Sequence, residues 1–69
     1  MSVYKIRIPA SLYQQIKLGV TSYSDKQKAI QVLTDGFRQN DIKFNIVKEE
    51  DKVRFLNDSG GELAAIVPL

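Results

Sequence analysis

The feature that most constrains this chain is a change of hydrophobic period at Asn40. Before it, Ala29, Ile30, Leu33 and Phe37 recur at helical spacing and form one apolar stripe. After it, Ile42, Phe44 and Ile46 alternate with Lys43 and Asn45, and Val53 and Phe55 alternate with Arg54. Period-two segments are half-buried strands, so the last thirty residues must form a sheet and something must cover its apolar face. The nearest cover is the helical part of the same chain.

Punctuation residues divide the chain further. Tyr4, Ile6 and Ile8 alternate with Lys5 and Arg7, and Pro9 stops that first strand. Ser11-Leu12-Tyr13-Gln14 fits a capping box with Ser11 as N-cap; Leu12 and Ile16 stack one turn apart, and Gly19 is a stop signal. Ser24-Asp25-Lys26-Gln27 fits a second capping box, with Asp25 near the positive helix start and Asn40 as the left-handed terminator. Gly36 weakens the last turn of that helix or admits a close neighbour. Glu49-Glu50-Asp51-Lys52 reads as a turn, Asn57-Asp58-Ser59-Gly60-Gly61 as the strongest turn signal, and Leu63 to Val67 as a last strand ended by Pro68. The order is β-α-α-β-β-β. We expect an α+β fold, with two helices on one face of a small, mainly antiparallel sheet. Residues 1–69 form one domain, with a strand-helix-helix part over 1–40 and a β-meander over 41–69.

At 69 residues the core is thin, and a domain of this size buries only about 60% of its unfolded surface. The sequence has no cysteine and no histidine, which removes disulfides, thiolate metal sites and the commonest general base. Self-association is the remaining compensation, so a homodimer is expected. No basic-then-apolar leader pattern is present, and no apolar run approaches the ~20 residues that span a bilayer. A cytoplasmic protein without membrane contact follows.

Charge is unevenly distributed. Residues 1–40 carry six cations against two acids, and residues 41–69 carry four against six. A basic first half can attract phosphate. No catalytic constellation emerges: Glu49-Glu50-Asp51 sits on a solvated turn, and the serines at 22 and 24 have no base to activate them. Gly60-Gly61 lacks the helix and lysine of a phosphate loop. We expect a non-enzyme with no metal and no cofactor.

Residues 3–40 resemble a ribbon-helix-helix DNA-binding domain, the class of MetJ and Arc. The resemblance rests on the strand Tyr4-Lys5-Ile6-Arg7-Ile8, Pro9 at its exit, Leu12 and Ile16, Gly19 between the helices, and Ala29-Ile30 with Leu33. It implies a dimeric DNA-binding regulator whose strand 3–8 contacts duplex DNA, with Lys5 and Arg7 facing the bases. Thr21, Ser22, Ser24 and Lys26 would then lie near phosphate at the second helix start. The competing reading is a compact α+β protein-interaction module, an adaptor or inhibitor of phage or mobile-element type. It would bind a protein partner through a sheet face or edge within residues 41–69. The neighbour of residues 3–8 separates the two: their own symmetry mate, or the strand at 62–67.

Overall fold

The computed structural model describes residues 3–69. Its elements are β1 (Tyr4–Arg7), α1 (Ala10–Gln15), β2 (Ser22–Tyr23), α2 (Lys26–Gln39), β3 (Asn45–Lys48), β4 (Val53–Leu56) and β5 (Glu62–Pro68). The five strands form one sheet in the order β2-β1-β5-β4-β3, and every neighbouring pair is antiparallel. The α+β class therefore holds, but the element order is β-α-β-α-β-β-β. The additional strand, β2, is only two residues long and leaves no periodic signal. It forms because the chain leaving α1 turns back along β1, setting Tyr23 opposite Tyr4 and Ser22 opposite Lys5.

β1 thus has a neighbour on each edge from its own chain. Tyr4, Lys5, Ile6 and Arg7 pair with Pro68, Val67, Ile66 and Ala65 on one side. On the other, the Ile6 N–H continues the β2 pairing by donating to the Thr21 carbonyl at 2.8 Å. A ribbon formed between two copies through β1 needs an edge that this chain already fills.

Helix ends differ in detail from their sequence signals. α1 starts two residues earlier than the Ser11 capping box suggests: Pro9 is its N-cap and Ser11 lies inside it. Proline suits this place because its fixed φ is compatible with a helix entry and its missing N–H costs nothing there. The helix lasts six residues and closes before Gly19. The Lys17 N–H donates to the Gln14 carbonyl and the Leu18 N–H to the Tyr13 carbonyl, with Lys17 left-handed at φ 55°. That is a Schellman closure built without glycine. α2 ends the same way. Asp41, not Asn40, takes the left-handed position at φ 56°, and the Ile42 N–H reaches the Phe37 carbonyl at 2.9 Å. At its start the N-cap is Asp25, not Ser24; the Asp25 carboxylate accepts from the Gln27 N–H at 3.0 Å.

Closing α2 also uses Ile42, which delays the next strand. β3 begins at Asn45 rather than Ile42, and Ile42 and Phe44 lie half-buried against the core as its approach. The core joins Ile6, Leu18, Ala29, Leu33, Phe37, Val53, Phe55, Ala64 and Ile66. At its centre Phe37, Phe44 and Phe55 meet pairwise with ring centroids 5.5, 5.6 and 5.6 Å apart, a tilted arrangement that aromatic quadrupoles favour. Gly36 lets α1 end against α2: a Cβ there would sit 3.2 Å from Ile16 Cβ. The β4–β5 turn is held by Asn57, whose Oδ1 accepts from the N–H groups of Ser59 and Gly61, with Gly60 at φ 86°.

Candidate nucleic-acid interface

Alternation along the strands gives the sheet two unlike faces. Ile6, Val53, Phe55, Ala64 and Ile66 point into the helix layer, where all are buried. The residues between them, Lys5, Arg7, Arg54, Ala65 and Val67, point the other way, onto a face no helix covers. Register then sets neighbours. Arg7 lies opposite Ala65, Ala65 opposite Arg54 and Arg54 opposite Val47, forming one row across four strands. A second row runs from Ser22 through Lys5 to Val67.

Ala65 is only 5% exposed although it lies on the helix-free face and outside the core cluster. By register it lies between Arg7 and Arg54, long side chains that can lie flat over apolar surface while keeping their charge in water. The Arg7 and Arg54 backbones flank β5 at about 9.5 Å, twice the strand spacing, and Lys5 lies about 7 Å along β1 from Arg7. Arg54 Nε donates to Glu62 Oε1 at 3.0 Å. Lys5 and Arg7 form no ion pair among the described residues.

Where β1 leaves the sheet at Ile8 and Pro9, its seam with β5 opens into a shallow cleft of about 430 Å³. Lys5, Arg7, Ile8, Pro9, Glu62 and Leu63 line it. Glu62 is already bonded to Arg54, which leaves two cations unopposed at this end of the sheet. An anion approaching this end of the face meets Lys5 and Arg7, with the half-exposed Glu62 carboxylate held through one oxygen by Arg54 at the margin.

The six residues expected from sequence to contact nucleic acid separate into two groups. Lys5, Arg7 and Ser22 share the helix-free face. Thr21 alternates toward the helix layer, half-buried beside Ile6, and contributes its carbonyl to the β1 pairing. Lys26 stands on α2, its Nζ 5.9 Å from the centre of the Tyr4 ring. Ser24 is exposed just before α2, and the helix start beside it already holds the Asp25 carboxylate. That negative charge occupies the position a phosphate would take.

Arg54 was not among the expected residues. Its alternation with Val53 and Phe55 marks it as outward-facing, but only the register across β5 brings it level with Arg7. The acidic turn 49–51 is closed by the Glu49 N–H on the Lys52 carbonyl and by a Lys52–Glu49 contact of 3.8 Å. Among the described residues no group of three acidic or other ligating side chains could hold a metal, and no helix is long and apolar enough to cross a membrane. Comparison with protein-family models, with curated proteins and with solved structures finds no match.

Proposed function

We propose that this protein is a non-enzymatic DNA-binding protein that engages duplex DNA through the helix-free face of its sheet. The observation that carries the reading is the placement of Lys5 and Arg7, without ion-pair partners among the described residues, beside Arg54 on that face. A binding role rather than a catalytic one is favoured by a sequence without histidine or cysteine.

Geometry also indicates the mode. A two-stranded ribbon fits the major groove, which is about 12 Å wide. Five strands at about 4.8 Å spacing make a sheet about 19 Å across, which is too wide to enter. The face would therefore lie against the sugar-phosphate backbone. Contacts to phosphate position a protein without reading sequence, so affinity should depend on salt more than on the DNA site.

Two phosphate contacts, from Lys5 and Arg7, predict a slope of about −1.8 in log affinity against log salt, or about 12-fold weaker binding between 50 and 200 mM. Fluorescence anisotropy with duplexes of unrelated sequence measures both quantities. Replacing Lys5 and Arg7 by alanine should remove most of that slope. Absence of binding at low salt, or a double variant with an unchanged slope, would remove the proposal.

A further inference from the structure

The sheet ends in two edges of different quality. β2 offers two residues, too few for a partner strand. β3 offers four, all exposed, including Ile46 at 40% and Val47 at 38%. Its outer peptide groups have no partner strand among the described residues. The strand has no proline, its pairing with β4 is regular, and the register shift among the described residues lies between β4 and β5 at Phe55 and Leu56. Such an edge is a template for another strand.

We infer that the partner is a second copy of this chain, paired antiparallel along β3 about a two-fold axis through Ile46. Charge complementarity favours this occupant. Keeping both helix layers on one side of the joined sheet requires an axis through a residue pair, because shifting by one residue inverts the faces. With Ile46 opposite Ile46, Asn45 faces the other copy's Val47 and Phe44 faces the other copy's Lys48. Lys43 then stands opposite Glu49 of the other copy, and symmetry makes that contact twice. Both residues are exposed and lie just beyond the two ends of β3, where its alternation, continued, puts them on the helix-free side; Glu49 also meets Lys52 of its own turn at 3.8 Å. Moving the axis to Val47 sets Ile46 against Lys48 and sends Lys43 toward Asp51 at the tip of the turn, whereas Glu49 stands at its base, where its N–H bonds the Lys52 carbonyl. The Ile46-centred register thus sets Ile46 against its own copy on the axis and a cation against an anion at each end of the pairing.

Self-pairing carries both cation rows on one continuous ten-stranded face. That consequence rests on the DNA reading; the pairing itself does not.

Sedimentation equilibrium of the full chain over a range of concentrations, without DNA, tests it. The expected result is a reversible monomer–dimer equilibrium. Lys43→Glu should weaken the dimer by about tenfold or more, since it opposes like charges twice. Adding Glu49→Lys to that variant should restore the constant to within a few-fold. Ile46→Lys, which opposes two lysines across the axis, should leave a folded monomer by circular dichroism. A wild-type chain that stays monomeric throughout would overturn the inference. So would a dimer indifferent to Lys43→Glu and Ile46→Lys, or a charge swap that fails to rescue.

Discussion

The two faces of the sheet are built from the same strands and have opposite character. On β1, Ile6 is buried among Leu33, Phe37 and Ile66, while Lys5 and Arg7 on either side of it stand in solvent. On β4, Val53 and Phe55 are buried and Arg54 between them reaches out to Glu62. Because the side-chain period is two, each strand serves both faces at once. The covered face then carries the stability of a thin core, and the open face is left to carry charge at little energetic cost.

The largest test of that contrast is Phe37→Ala. Phe37 is fully buried and touches both other core phenylalanines. Truncation should cost about 3–5 kcal/mol, a large share of the total stability of a domain this small. Thermal or urea unfolding measures it. A loss below 1 kcal/mol would mean that the covered face is not where stability resides.

A smaller effect sharpens the account of the helix layer. Gly36→Ala gains helix propensity, worth up to about 1 kcal/mol, but its Cβ meets Ile16 Cβ at 3.2 Å and Cδ1 at 3.3 Å. Overpacking of that kind costs about 1–3 kcal/mol, so a net loss of about 1 kcal/mol is expected. Ile16→Ala in the same chain should recover part of it, and a double-mutant cycle over both positions reports the coupling. Additive effects would show that α1 does not press on α2 there.

The smallest expected change is on the open face. Lys5→Ala combined with Arg7→Ala should alter stability by no more than about 0.5 kcal/mol, the usual range for exposed positions. A larger loss, read from the same unfolding curves, would make this face structural and would erase the distinction between the two sides.

Much of this arrangement was legible residue by residue. The stripe Ala29, Leu33 and Phe37 is buried as its spacing implies, with Ile30 at its half-buried margin. The outward placement of Lys5 and Arg7 follows from alternation alone, and the turn at 57–61 from its asparagine and glycines. Helix ends were legible only to within about a turn. Proline can open a helix as well as close a strand, and Lys17 and Asp41 adopt the left-handed position usually left to glycine. β2 was not legible at all, since two residues show no period. Of the open-face residues, Ser22 reaches Lys5 only through that strand, and Arg54 reaches Arg7 only across β5.

What the sequence determined by itself, then, is which side chains share a face. The 3.6 and 2.0 periods are local properties of the backbone, expressed over a few residues. What only the tertiary structure decided is which strand lies beside which. The strand at residues 4–7 could pair with a copy of itself or with residues 62–68, and its alternation is the same in both cases. Pairing within the chain prevails because β5 is also the neighbour of β4, so placing β1 beside it sets Ile6 against Ile66 and under α2. That burial is a non-local gain, invisible to any window of sequence, and it turns a two-cation strand into part of a sheet face.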